Sequence, residues 1–171
     1  MAKRVVIITG PGFQDEEVVY PYYRLLEAGY TTEIATKDGA VVYGKYGVPA
    51  RATMATTDLK SSEFDAVVLP GGFEAPDRVR LLPEVLDFVR EMDEQKKLVA
   101  AICHGPWIMI SAGICKGRKM TAFWSIEADM RNSGADYQHK ALVVIDENFI
   151  TSPHYNNNGD FMREVVKAID S

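Results

Sequence analysis

Cysteine is scarce in this sequence: the chain of 171 residues contains only Cys103 and Cys115. Two cysteines do not build a disulfide framework, and neither stands at a spacing typical of a metal site. Long apolar runs are also lacking, since no stretch approaches the roughly 20 residues that span a bilayer. The apolar residues 5–8 are too few for a signal peptide, which needs about 7–15. We therefore expect a cytoplasmic protein without a metal ion and without a membrane partner.

Positive charge is in deficit as well. Lys and Arg number 19 against 24 Asp and Glu, for a formal net charge of −5 and an isoelectric point near 5.2. This balance argues against nucleic acid as a main partner, because phosphate binding requires a cationic face. Apolar residues make up 47% and charged residues 25%, which is typical of folded globular proteins and excludes disorder.

Short β-branched runs alternate with longer segments of helical periodicity. Strands are predicted at residues 4–9, 31–35, 66–69 and 98–102, and helices at residues 15–28, 83–96, 106–112 and 159–169. This alternation is typical of βαβ units. It predicts one α/β domain over residues 1–171, with a mostly parallel sheet and helices on both faces.

Three segments depart from that regular alternation. Pro21 lies inside the first predicted helix and is expected to kink it. Residues 43–52 contain Gly44 and Gly47 and indicate an excursion of short antiparallel strands. Residues 141–146 and 149–151 predict a late hairpin.

The clearest chemical signal is the segment AICHGP at residues 101–106, directly after a buried strand. Small residues around Cys103 suit a tight strand-to-helix turn that presents a nucleophile. A thiol at a helix N-terminus favours the reactive thiolate. The backbone N–H groups of His104 and Gly72 are candidate oxyanion donors. Loops 10–14, 70–73 and 101–106 are expected to converge beyond the strand ends.

A purely structural role is the competing interpretation at each of these positions. Free cysteine often serves as a small buried apolar residue, and Cys103 could be one. Cys115 lies in a glycine-flanked turn, where the structural interpretation is preferred. His139 is expected on the surface, whereas His154 follows a strand end and could reach the site.

Several motifs in fixed order make the chain similar to a known family. They are VVYPY at residues 18–22, FDAVVLPGG at 64–72, APDRVR at 75–80 and AICHGP at 101–106. With them the chain resembles the PfpI intracellular-protease family, in the superfamily of the parkinsonism-associated protein deglycase. Class I glutamine amidotransferase-like domains share the elbow, but they carry a His and an acid two residues apart near the C-terminus, which this sequence lacks.

The resemblance implies a flavodoxin-like three-layer sandwich that forms a homodimer or higher oligomer. It implies a reactive Cys103 hydrogen-bonded by a glutamate of the first helix, whose matching position is Glu17. The oxyanion donors would be Gly72 and His104. For peptidase members it also implies an acid from a neighbouring subunit beside His104, and the matching residue is Asp77.

The chain departs from the family pattern around the pocket. Gln14 stands where relatives tend to have glutamate. Phe123 and Trp124 replace a segment that often carries tyrosine and proline, and the run around His154 replaces a more usual Ser-Arg run. The candidate pocket-lining residues are Gln14, Gly71, Phe123, Trp124 and His154.

Three functions remain open from the sequence. The first is a cofactor-independent enzyme of stress protection that converts methylglyoxal or its protein adducts to a hydroxyacid, as glyoxalase III or deglycase. The second is a cysteine peptidase with a Cys103–His104–Asp77 triad across subunits. The third is a redox-sensing or chaperone-like stress protein in which Cys103 becomes oxidised.

Overall fold

The computed structural model describes residues 2–171, in which eleven strands and six helices alternate. The strands are β1 Arg4–Ile8, β2 Thr31–Thr36, β3 Val42–Tyr43, β4 Pro49–Ala50, β5 Met54–Ala55, β6 Ala66–Leu69, β7 Leu98–Ile102, β8 Lys119–Met120, β9 Asp136–Tyr137, β10 Val144–Asp146 and β11 Phe149–Ser152. The helices are α1 Asp15–Glu27, α2 Glu74–Val79, α3 Pro83–Glu94, α4 Pro106–Ala112, α5 Glu127–Asn132 and α6 Asn158–Asp170.

Seven of these strands form the central sheet, in the order β10-β11-β7-β6-β1-β2-β5. Every neighbouring pair is parallel except β10 and β11, which form the late hairpin. Since β1, β6 and β7 are adjacent, the loops that follow them meet at one edge of the sheet. The predicted convergence of these loops is confirmed: the Gln14 N–H donates to the Gly71 carbonyl oxygen at 3.2 Å.

Side chains of the sheet alternate between two buried clusters, one on each face. In β1, Val6 and Ile8 pack with α3, α4 and α5, whereas Val5 and Ile7 pack with α1 and α6. This two-sided burial explains why the strands consist of nearly continuous apolar runs. The predicted α/β, flavodoxin-like three-layer sandwich is confirmed.

Local predictions fared unevenly. The excursion is present as the antiparallel pair of β3 and β4, close to the predicted place. Helix α1 continues through Pro21 to Glu27, and the kink expected at this proline stays a prediction. The short strands β5, β8 and β9 and the short helices α2 and α5 were not predicted, because stretches of two to six residues carry too little periodicity. Among the described residues, no helix has the length and apolarity needed to span a membrane.

Gly105 shows how tightly the elbow is packed against the sheet. A Cβ at this position would overlap the backbone carbonyl oxygen of Leu69, at the end of β6. We expect Gly105→Ala to lower the free energy of unfolding by about 1–3 kcal/mol, because backbone must shift to admit the methyl group. Chemical denaturation measures the change.

The matched control is Gly159→Ala in α6, where an added Cβ meets no atom within 4 Å. There alanine should be neutral or slightly stabilising, since it favours helix over glycine. Equal stability of the two variants would contradict the close approach of Gly105 to β6.

Candidate active site

Cys103 occupies the turn between β7 and α4 with a strained backbone. Its φ angle is +61°, in the left-handed region that residues other than glycine rarely adopt. Two backbone hydrogen bonds hold this conformation, both at 2.9 Å. The Cys103 N–H donates to the Ser152 carbonyl oxygen, and the Cys103 carbonyl oxygen accepts from the Phe123 N–H. The predicted strained elbow is therefore present. The side chain is 6% exposed and lies at the floor of a cavity.

Glu17 is the buried member of the acidic start of α1 that lies beside this cysteine. Its side chain is fully buried, and Oε2 accepts the Gly71 N–H at 2.7 Å, while Oε1 has no hydrogen-bond partner among the described residues. Burial raises the pKa of this carboxyl to about 8, against the smaller opposing effects of the Gly71 N–H and of Cys103. Glu17 thus holds a proton at neutral pH, in contact with the thiol.

Gly71 explains how the carboxyl and the thiol come so close. A Cβ on Gly71 would lie 2.5 Å from both the Cys103 Cβ and the Glu17 Oε2 atom. Only glycine leaves room for the two side chains to meet over the end of β6. Gly71 was predicted to line the pocket, but it lies behind the thiol and does not line the cavity.

The protonation state of Cys103 differs from the prediction. Burial raises the pKa of the thiol well above its usual range, and the adjacent Glu17 carboxyl adds to the rise. The N–H groups of Gly72 and His104 point at the sulfur and lower the pKa, by less than burial raises it. The resting residue is therefore a thiol, and the expectation that the helix N-terminus would favour a thiolate is wrong for this state. The role of the Gly72 and His104 amides as oxyanion donors stays a prediction.

His104 lies against the thiol of the residue that precedes it. The Nδ1 atom is 3.3 Å from the Cys103 Sγ, and Nε2 is 3.3 Å from the Ser125 Oγ. Burial lowers the pKa of the imidazole, opposed by the charge of Asp129. A neutral ring that donates through Nε2 to Ser125 has Nδ1 available to accept the thiol proton. Ser125 was missed from the sequence, since no motif marks it.

Asp77 is not brought to this site within the protomer. It lies on the exposed face of α2 and makes no hydrogen bond or ion pair within residues 2–171. The predicted contact was with His104 of another subunit, and it stays a prediction.

A cavity of about 250 Å³ opens above the sulfur. The predicted residues Gln14, Phe123 and His154 line it, so His154 does reach the site. Trp124 lines a neighbouring cavity of about 620 Å³, which it shares with His154. Four lining residues were not predicted: Lys45, Tyr46, Phe73 and Tyr155.

Lys45 and Tyr46 reach the cavity because Asp15 holds the loop between β3 and β4. The Asp15 carboxylate accepts the N–H groups of Tyr46 and Val48 at 2.9 and 3.0 Å. The Lys45 N–H donates to the Phe13 oxygen at 2.8 Å. The excursion therefore serves as one wall of the site.

The described residues present no group of three or more His, Cys, Asp or Glu side chains arranged to hold a metal ion. The site can instead supply a nucleophilic thiol, a neutral imidazole, a protonated carboxyl and two backbone amides. Together these groups suit addition of the thiol to a carbonyl carbon.

Comparison with known proteins gives consistent matches over the whole chain. Residues 3–168 match the model of the DJ-1/PfpI family. The chain is 40% identical over 166 residues to Deglycase PfpI of Pyrococcus furiosus, covering 97% of this chain and 99% of that protein. It is 36% identical over 172 residues to General stress protein 18 of Bacillus subtilis, covering 99% of each.

A crystal structure matches equally well. It is a two-domain protein from Anabaena variabilis with DJ-1/ThiJ/PfpI-like and ferritin-like domains, and it superposes with a TM-score of 0.95 at 37% identity. The match covers 98% of this chain and 48% of the other, so this chain spans about half the length of that protein.

Proposed function

This chain belongs to the DJ-1/PfpI family, and from that premise we propose that it is a cysteine-dependent enzyme of reactive carbonyls. Its substrates are methylglyoxal or the early adducts of methylglyoxal on amines and thiols, and its product is a hydroxyacid, as in glyoxalase III or deglycase chemistry. The observation that carries this proposal is the contact of one thiol with a base, a proton-holding carboxyl and two amides. Relatives named deglycase support it.

The first step is addition of the thiol to the aldehyde carbon. His104 Nδ1 takes the proton from Sγ as the sulfur–carbon bond forms, and the carbonyl π electrons move onto oxygen. The N–H groups of Gly72 and His104 stabilise that oxyanion, which the sulfur contacts indicate is within their reach. Protonation of the oxyanion completes a hemithioacetal. A thiol with a high pKa suits this concerted transfer, because the stronger nucleophile forms only as its proton leaves.

The second step moves a hydrogen between the two substrate carbons. In its ionised form Glu17 takes the proton from the hemithioacetal carbon and returns it to the neighbouring carbon. The hydroxyl proton of the hemithioacetal passes to the ketone oxygen, and the adduct becomes a thioester. Water then cleaves the thioester to lactate and free thiol, so that overall methylglyoxal plus water gives lactate. A carboxyl with a pKa of about 8 is a strong base that is still partly ionised at neutral pH. Neither step requires a cofactor.

The proposed setting is the cytoplasm, where both cysteines stay as free thiols.

We also propose that the chain acts as a homodimer or higher oligomer. Large apolar side chains are exposed near the site, with Phe73 61% and Tyr46 69% exposed, which is consistent with a covering subunit. Glycated proteins are a second proposed substrate class.

A peptidase is the second candidate, favoured by one observation: the 3.3 Å contact between the Cys103 thiol and His104. In that case Asp77 of a neighbouring subunit would orient the imidazole. Oxidation of Cys103 in a redox-sensing or chaperone-like protein is the third, favoured by the same amides that would stabilise a sulfinate.

Product analysis separates these candidates. Purified protein is incubated with methylglyoxal, with a methylglyoxal-treated amine and with an unstructured peptide, and lactate, free amine and cleaved peptide are measured. We expect lactate from wild type and from Asp77→Asn at equal rates, because Asp77 contacts nothing at the site within the protomer. Peptide cleavage without lactate, lost in Asp77→Asn, would replace the proposal with the peptidase. If none of the three substrates is turned over, the redox-sensing or chaperone-like protein remains as the candidate.

A further inference from the structure

The walls of the cavity over Cys103 consist mainly of rings. Six of its ten lining residues carry one: Tyr46, Phe73, His104, Phe123, His154 and Tyr155. Two of these positions, Phe123 and His154, fall in segments that depart from the family pattern. The aromatic character of this wall is expected to affect substrate choice.

Several of these rings lie in nearly parallel planes. His104 and Phe123 stack with centroids 5.0 Å apart and planes at 26°. Phe123 and His154 are 6.1 Å apart at the same angle, and Trp124 and His154 are 5.6 Å apart at 20°. These separations are those at which aromatic pairs attract one another in offset stacks. A flat group that lies against this wall would contact several of these rings.

His104 is the ring of this stack that lies next to the reacting sulfur, since its Nδ1 atom is 3.3 Å from the Cys103 Sγ atom. A group attached to the carbonyl beside the attacked carbon would therefore lie along the rings. The cavity over the sulfur has a volume of about 250 Å³. This volume suits a single ring with its carbonyl groups and exceeds what a methyl group would fill.

We propose that the site selects α-oxo aldehydes that carry a planar aromatic group on the ketone carbon, with Phe123 and His154 as the selecting residues. This inference rests on the proposed function and names its substrate class. Phenylglyoxal is the probe. The sulfur adds to its aldehyde carbon, and the thiol proton goes to the aldehyde oxygen. The hydrogen on the attacked carbon then moves to the ketone carbon, the hydroxyl proton moves to the ketone oxygen, and water cleaves the resulting thioester. Phenylglyoxal plus water gives mandelate, and no oxidant or reductant is consumed.

The experiment measures kcat/KM for phenylglyoxal and for cyclohexylglyoxal, whose ring is similar in size but not flat. Their ratio is determined for wild type, Phe123→Leu and His154→Leu. The intrinsic reactivities of the two aldehydes cancel when ratios are compared between proteins. We expect the ratio to fall about tenfold in each variant, equivalent to about 1.4 kcal/mol of lost stacking. His139→Leu is the control, because this exposed histidine does not line the cavity and should leave the ratio unchanged.

Two separate variants are used so that the test stays decisive if one of them does not fold. His154 Nδ1 accepts the Asn156 N–H at 3.2 Å, so its replacement removes one local hydrogen bond. If circular dichroism shows that His154→Leu is unfolded, Phe123→Leu decides the outcome. An unchanged ratio in the folded variants, with lactate still formed from methylglyoxal by wild type, would overturn the selectivity and leave the proposed function standing. Absence of turnover with all three aldehydes would overturn both.

Discussion

Replacement of Cys103 by serine is expected to lower the rate of lactate formation from methylglyoxal by at least about 10³-fold. The thiol is the group that forms the covalent adduct, and removal of a nucleophile typically costs at least this much. A hydroxyl in its place is a far weaker nucleophile, and the neutral His104 beside it cannot compensate. Serine preserves the packing of the elbow, so the loss is expected without a large change in the free energy of unfolding.

Cys115→Ala is the matched control for that substitution. Cys115 is also a buried free thiol whose pKa is raised by burial, to about 12, but it packs in the core beside α3 and α4. The Cys115→Ala protein should retain the wild-type rate, because residue 115 does not line the cavity. A Cys103→Ser protein that kept the wild-type rate would remove the carbonyl chemistry from this site altogether.

Glu17→Gln is expected to have the next largest effect, a loss of about 10²–10⁴-fold in kcat. The amide oxygen of glutamine can still accept the Gly71 N–H, so the geometry around the thiol is kept. The substituted group can no longer take or return a proton, and the rearrangement of the adduct stops. Glu27→Gln, an exposed position at the end of the same helix, serves as the control and should retain the rate.

The same substitution has a signature in stability. The pKa of Glu17 is raised from 4.5 in the unfolded chain to about 8 in the folded one, so the folded state binds the proton more tightly. Its contribution to stability is full below pH 4.5 and is lost as the pH rises through 8, with a slope of at most about 1.4 kcal/mol per pH unit. Glu17→Gln should remove this decline. An identical decline in the variant would show that Glu17 is not the group that titrates.

The sequence was sufficient to predict the order of the longer strands and helices. Continuous apolar runs such as residues 66–69 and 98–102 can be buried only between two helical layers, so the parallel sheet followed from them. The elbow was also readable, because a small residue is required wherever backbone approaches backbone, as at Gly105. The choice of Glu17 as the buried acid came from the family resemblance.

Other features of the site had no local signal. Lys45 and Tyr46 reach the cavity only because the buried Asp15, thirty or so residues earlier in the chain, holds the loop that carries them. Ser125 lies behind His104 for a similar reason, since its 3₁₀ turn packs where β7 ends. Such contacts depend on how distant segments meet, which periodicity does not encode.

The sequence by itself determined a parallel α/β sandwich with a cysteine at its strand-to-helix elbow, since hydrophobic period and small-residue spacing are local properties. The tertiary structure alone decided the protonation of that cysteine. A helix N-terminus favours a thiolate, but burial raises the pKa of the thiol, and the adjacent Glu17 carboxyl adds to the rise. Desolvation depends on everything that surrounds an atom, and the surroundings exist only after the chain has folded.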